Sequence, residues 1–292
     1  MNALFPEEFL AALMPLRLRV GKIRALATSG EHVAAHRGAG LEFREYQAYS
    51  PGDDLRRVDW NVYRRSGHLF LRRQDHMRTV PVYILTDASQ SMFFENPPRW
   101  RAGAQMAAAI AAAALREHDS VDIVPFGATV SAGIHRVTGR ARLARVLERL
   151  TAQGPLGQTD FAASCAALAP LARRSGVVFV ISDFFDPRGG RAVVDALATL
   201  RHRLVLIRLQ RPSDAAPAIT DDAELRDCET GTVRLVGDAA ALRATYRAAY
   251  AEFDRVINEF VAGYGGREYR VDPEQPLIAQ LGRLFPGGVI TA

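Results

Sequence analysis

Lysine is nearly missing from this chain: Lys22 is the only one, so almost all of the positive side of the formal net charge of +5 is arginine. The arginines are scattered, and no run of five or more basic residues occurs. An Arg- and Ala-rich, Lys-poor chain points to coding bias rather than to a nucleic-acid footprint. Cysteine is almost as scarce. Cys165 and Cys228 lie far apart in different predicted elements, which excludes a disulfide-built scaffold and favours a reduced, cytoplasmic setting. Long hydrophobic runs are absent too. The longest apolar stretch, 102–115, is mostly alanine, contains Gln105 and falls short of a membrane span. Residues 1–10 carry two glutamates and no basic cluster, so neither a signal peptide nor a membrane anchor is expected. Histidines are spread along the chain and none is assigned to a metal or to catalysis. There is no Walker-type glycine loop, no G-x-S-x-G elbow and no internal repeat.

What is present is a large apolar core. With 48% hydrophobic residues over 292 positions, the chain suffices for one large α/β domain with an appendage, or for two small domains. Its organising stretch is VPVYILTDASQSM, Val80 to Met92. Val80, Val82, Tyr83, Ile84 and Leu85 form a short block rich in β-branched residues, as in a fully buried parallel strand. Open α/β sheets hold ligands beyond the carboxyl ends of their strands, so Asp87, Ser89 and Ser91 are presented there on one loop. One carboxylate and two hydroxyls are hard oxygen donors; with further oxygens they suit Mg²⁺ or a similar cation such as Mn²⁺ or Ca²⁺. The same residue types also make turns and helix caps, and Ser91 is placed to cap the helix that follows.

Read in order, the chain opens with helical spacing from Pro6 to Leu26, which Pro15 should kink or split. Residues 28–40 read as a loop. Leu41 to Asp75 is dense in aromatics and in charges of both signs, with a turn at Pro51-Gly52 and a strand near Leu69 to Arg73. Over residues 1–79 there are 13 basic against 9 acidic side chains, so most of the net charge lies in this appendage. From Val80 the pattern alternates. A helix is expected at about 100–117, hairpin strands at 121–126 and 129–135, and helices around Val146 and Cys165. Val177 to Ile181 is a second buried strand, again ending in Ser182-Asp183. A helix around Val194, a strand at 204–209, a surface hairpin at 223–236, a long helix capped by Asp238, a strand at 268–271 and a short helix at 277–284 complete the chain. Strands alternating with helices imply a doubly wound α/β fold, mostly parallel, with one antiparallel edge strand.

Asp87-x-Ser89-x-Ser91, Thr159 in the GQTD loop and Asp183 after a later buried strand together resemble the metal-ion-dependent adhesion site of von Willebrand factor A domains. The resemblance implies a six-stranded sheet whose last strand is Glu268 to Val271. It also implies a metal held by Asp87, Ser89, Ser91, Thr159 and Asp183, with hydroxyl oxygens from the two serines and the threonine, Asp87 binding directly or through water, and Asp183 across the ion. The amino-terminal block GLEFREYQAYSPGDDLRRVDW, the DASQSM strand end and the later Glu229-Thr230-Gly231 are similar to the DUF58 family of bacterial A-domain proteins. That likeness covers most of the chain from about Gly38. It implies a cytoplasmic adaptor or co-chaperone that works with a MoxR-type AAA+ ATPase in maturing or remodelling a client protein. Many relatives carry amino-terminal membrane helices, and none is expected in this sequence.

The expected organisation is an appendage over 1–79 and a von Willebrand factor A-like domain over 80–292, with a hairpin insertion near 223–236. The expected function is non-enzymatic: a metal-completed site offered to a carboxylate of a protein partner. Two other readings compete. Asp87 beside Mg²⁺ is placed as in phosphoryl-transfer hydrolases, but Ser89 stands where the general acid/base would be needed. Nucleic-acid binding by the basic amino-terminal part rests on charge alone. Within that part, Asp53, Asp54, Arg56, Asp59 and Trp60 read as an ion-paired turn or as a docking surface.

Overall fold

Val82–Asp87 (β1) is buried at every residue, as an unbroken apolar run requires of a strand covered on both faces. The structure, a computed structural model, describes residues 4–20, 41–50, 58–76, 80–117 and 119–291, with the backbone alone described for 41–47 and 71–76. Five further strands join β1 in one sheet: Val121–Phe126 (β2), Ile134–Val137 (β3), Val177–Ser182 (β4), Arg203–Leu209 (β5) and Arg267–Val271 (β6). The strand order is β6-β5-β4-β1-β2-β3. All neighbours run parallel except β2 and β3. This is the six-stranded, mostly parallel α/β sheet expected from the sequence. The chain runs outward from β1 to β3, then returns to the other side of β1 with β4. The order therefore reverses between β1 and β4, and the crevice beyond their carboxyl ends is the place such sheets reserve for a ligand.

The core lies on both faces of this sheet. On one face, Val82, Ile84, Val177, Phe179, Ile181, Val205 and Ile207 pack under the helix Arg99–Arg116. That helix is buried nearly all round; its run of alanines lets it lie close to the sheet and still be covered by other helices. The other face, with Tyr83, Leu85, Val178, Val180 and Leu206, is covered by the helices Phe161–Leu168, Gly190–Ala198 and Ala239–Tyr264. Asp238 caps the last of these through the amide of Ala241, as its sequence position indicates. No helix among the described residues is long and apolar enough to cross a membrane. Both cysteines are free, and burial pushes the Cys165 thiol up to about 12, which makes it inert.

Where β4 begins, the backbone passes so close to Pro81 that a side chain does not fit. A Cβ on Gly176 would stand 2.2 Å from the Pro81 carbonyl oxygen. Gly176→Ala is therefore expected to cost about 1–3 kcal/mol, the usual penalty for overpacking. Urea denaturation measures it, and an unchanged midpoint would show that the two segments separate freely.

Three expectations are corrected. The amino-terminal helix spans only Glu7–Leu13. Pro15 ends it, and Arg17–Arg19 is instead a strand with Leu18 buried between two exposed arginines. It pairs in parallel with Val289–Thr291 at the other end of the chain, a contact too distant in sequence to be read from local pattern. Residues 21–26 of the expected helix lie outside the described residues. The strand expected at 129–135 is displaced: Val130 makes a single bridge to Phe126, and β3 starts only at Ile134. Gly133 explains the break, since a Cβ there would stand 2.0 Å from the Ile123 carbonyl oxygen. Finally, the boundary at 79/80 puts the beginning of the chain on the wrong side. The compact units are Met1–Ala27 with Val80–Ala292, and Thr28–Thr79. Phe5, Phe9, Leu13 and Leu16 belong to the core of the larger unit together with Leu281, Phe285 and Ile290.

In the smaller unit Leu41–Ala48 pairs antiparallel with Phe70–His76. Between them stands a helix, Trp60–Ser66, that the sequence reading does not anticipate. Asp59 caps it by accepting from the amides of Asn61 and Val62, and Gly67 ends it in the left-handed region at φ 69°. Asp59 thus has the local structural role expected of its block. Asp53, Asp54 and Arg56 lie outside the described residues.

Candidate metal-ion site

The loop after β1 is clamped by backbone hydrogen bonds before any side chain is considered. Ala88 donates to the Phe126 carbonyl at the end of β2, Leu156 donates to Ala88, and Gln90 donates to Gly157, each at 2.7 Å. The last two bonds draw the segment that carries Thr159 against the Asp87 loop. A third loop, after β4, joins through Ser182, whose hydroxyl donates to Asp87 Oδ2 at 2.5 Å. The structure thus gathers around one crevice the loops bearing all five candidate ligands. Asp87 and Ser89 are fully buried, Thr159 and Asp183 are 3% exposed, and Ser91 is half-buried at the start of the short helix Ser91–Phe94.

Within this cluster the donors are oriented by the chain itself. Asp87 Oδ1 accepts from the Ser89 amide at 2.9 Å, and the Ser89 and Ser91 hydroxyls lie 2.9 Å apart. The Ser182 hydroxyl also accepts from the amide of Phe184 at 2.8 Å, and Asp183 Oδ1 accepts from Phe185 at 3.0 Å. Phe184 adopts φ 65°, uncommon for an aromatic residue and costing on the order of 1 kcal/mol or more. Full burial of its ring, stacked on Phe161 at 5.6 Å between centroids, offsets that strain. The Thr159 loop is tied to the β4 loop from the side. Asp160 caps the helix Phe161–Leu168 and pairs with Arg188, which also binds Asp186, and Asp186 accepts from the amide of Phe161.

The electrostatics of the two aspartates fit a cation. Burial pushes the Asp87 carboxyl up to about 6. Its hydrogen bonds from Ser182 and Ser89 act against that rise, and the charge of Glu229 adds to it. Burial likewise pushes Asp183 up to about 7, against the pull of Arg99 and with the charge of Asp87 adding to it. Arg99 lies 3.8 Å from Asp183 but is engaged elsewhere: it makes a two-pronged pair with Asp214 at 2.6 and 2.9 Å and a bond to Glu95 at 2.9 Å. A buried carboxylate held by hydroxyls is costly by itself and suits a hard cation. Among the described residues no three His, Cys, Asp or Glu side chains converge closely enough to cage a metal. A cation here would rest on two carboxylates, hydroxyls and water, a set compatible with Mg²⁺ or Mn²⁺.

Three participants escape the sequence reading. Ser182 is visible there only as the residue before Asp183, yet it bridges the two strand ends. Arg99 carries no motif. Glu229, on the turn of the hairpin formed by Glu224–Arg226 and Val233–Leu235, accepts from the Thr159 hydroxyl at 3.3 Å and faces its amide at 3.4 Å. Beside the site Phe93 stacks on buried Trp100 at 5.1 Å, which is helix-entry packing, while Phe94 stands 66% exposed on the rim.

Residues 42–255 match the family model described as "Protein of unknown function DUF58". The uncharacterized protein Rv1480 of Mycobacterium tuberculosis (strain ATCC 25618 / H37Rv) is 30% identical over 263 residues, covering 87% of this chain and 82% of that one. Among solved structures, an aerotolerance-related membrane protein from Bacteroides fragilis NCTC 9343 aligns with a TM-score of 0.42 at 16% identity, over 70% of this chain and 98% of that one. The conserved hypothetical protein BatB from Bacteroides thetaiotaomicron aligns with a TM-score of 0.40 at 17% identity, over 66% of this chain and 90% of that one.

Proposed function

We propose that this protein, which belongs to the DUF58 family, is a non-enzymatic adaptor that captures an acidic side chain of a partner protein through a hard cation. The observation that supports this best is Asp87: a fully buried carboxylate at the strand-order reversal, hydrogen-bonded by Ser89 and Ser182. In this reading Asp87, Ser89, Ser91, Thr159 and Asp183 hold Mg²⁺ or Mn²⁺. When bound, the cation supplies an exchangeable coordination position for a partner's Asp or Glu. The chain's own residues fix the donors in place: Ser182 orients Asp87, the Phe185 amide orients Asp183, and the clamped backbone of Ala88, Gln90 and Leu156 sets the spacing of the loops. By its resemblance to DUF58 proteins, the partner is a MoxR-type AAA+ ATPase acting on a client in the cytoplasm.

Titration calorimetry with Mg²⁺ and Mn²⁺ tests the site. We expect weak binding at one ion per chain, because two carboxylates supply little charge and hydroxyls compete poorly with water. Asp183→Ala is expected to abolish the heat of binding without unfolding the protein, since Arg99 keeps its bonds to Asp214 and Glu95. An unchanged isotherm in Asp183→Ala would show that the ion sits elsewhere.

A further inference from the structure

The hairpin between β5 and the helix Ala239–Tyr264 faces solvent along almost its whole length. From Glu224 to Leu235 only Cys228 and Glu229 are even half-buried. Its turn is built to hold that orientation. Asp227 accepts from the amides of Glu229 and Thr230 at 2.8 and 3.1 Å, the Gly231 amide closes on the Asp227 carbonyl at 2.9 Å, and Gly231 takes the left-handed φ of 72° that the turn requires. The rigid turn delivers one carboxylate to one place, the Thr159 hydroxyl.

A hydroxyl that ligates a cation must keep its lone pairs for the ion, and it does so best when its proton is given to a fixed acceptor. Thr159 has such an acceptor in Glu229 Oε1 at 3.3 Å. We propose that Glu229 is a positioning residue of the cation site: it accepts the hydrogen bond of Thr159 Oγ1, fixes that hydroxyl with its lone pairs toward the ion, and so ties the surface hairpin to metal affinity. The inference rests on the cation-site reading above and adds to it a residue 70 positions away in sequence from the threonine it serves. Glu229 stays outside the coordination sphere, in keeping with the lack of any three-carboxylate cage among the described residues.

The test uses the full chain and Mn²⁺ alone, with affinity and the number of coordinated waters read by electron paramagnetic resonance and water-proton relaxation. Glu229→Ala is expected to weaken Mn²⁺ binding roughly ten- to a hundredfold, the usual cost of losing a residue that orients a ligand, with the water count unchanged. Glu229→Gln keeps a carbonyl acceptor and should recover part of the loss. Glu224→Gln, on the same hairpin and exposed, should match wild type. In a Thr159→Val background Glu229→Ala should have no further effect. An undiminished effect there, or one additional bound water in Glu229→Ala, would overturn the positioning role. Affinity within twofold of wild type in Glu229→Ala, while Asp87→Ala loses the ion, would overturn this inference alone. Mn²⁺ binding that persists in Asp87→Ala would remove the cation site and this inference with it.

Discussion

Asp87→Asn is expected to stabilise the metal-free protein at pH 8 by about 2 kcal/mol and to abolish its response to Mg²⁺. Burial lifts the Asp87 carboxyl from its ordinary 3.8 to about 6, so the folded protein holds that proton more tightly than the unfolded chain does. The direction follows from linkage. Below about pH 4 both states are protonated and nothing is lost. As pH rises to about 6 the unfolded chain ionises first and stability falls; above that the full penalty is present. A displacement of this size corresponds to about 3 kcal/mol. Asparagine removes it, keeps an acceptor for the Ser89 amide, and gives back about 1 kcal/mol because the Ser182 hydroxyl loses its carboxylate acceptor. Asp183, pushed up to about 7, acts in the same direction, and the two titrate as a pair. The metal-free wild type should therefore be more stable at pH 5 than at pH 8. Mg²⁺ should restore stability at pH 8 by binding only the folded state. Urea denaturation at both pH values, with and without Mg²⁺, reads all of this. An Asp87→Asn protein less stable than wild type at pH 8 would mean that the carboxylate is a structural asset, with no ion needed to satisfy it.

That trade of stability for a charged pocket is partly legible in the sequence. The strand blocks 82–87 and 177–182 are apolar enough to be read as buried on both faces, and a parallel sheet then fixes that whatever follows them lies in the crevice. Asp87, Ser89 and Asp183 follow from that step. Thr159 does not, because it stands before a helix and not after a strand; only the resemblance to A domains brings it in. The hydrogen bonds of Leu156 and Gln90 that deliver it are main-chain bonds, which no residue type announces. Glu229 and Arg99 are less legible still. A glutamate in a polar turn and an arginine at the start of a helix are ordinary surface residues until the fold carries one to Thr159 and buries the other against Asp214. The pairing of Arg17–Arg19 with Val289–Thr291 fails for the same reason: long-range strand partners leave no mark on local periodicity. Where local chemistry does decide, as with Asp59 capping its helix and Gly67 ending it, the signals are present in the sequence and only the helix between them is too short to stand out.

On the proposed function, capture of a MoxR-type AAA+ ATPase is expected to depend on the cation and to fall at least about tenfold in EDTA. In that reading a partner's carboxylate would gain most of its binding energy from a coordination position on the ion, and without the ion the same carboxylate would meet the charges of Asp87, Asp183 and Glu229 instead. Removing the metal therefore turns attraction into repulsion. Asp87→Ala should reproduce the loss in the presence of Mg²⁺, since the change lies at a loop and leaves both sheet faces intact. The ionic-strength dependence should be shallow, because a short-range coordinate bond is screened far less than contacts between exposed charges. Pull-downs of a MoxR-type ATPase, in Mg²⁺ and in EDTA and at two salt concentrations, separate the readings. Equal recovery in both would take the ion out of the interface; if recovery then fell steeply with salt, the basic amino-terminal residues 1–79 would be the contact.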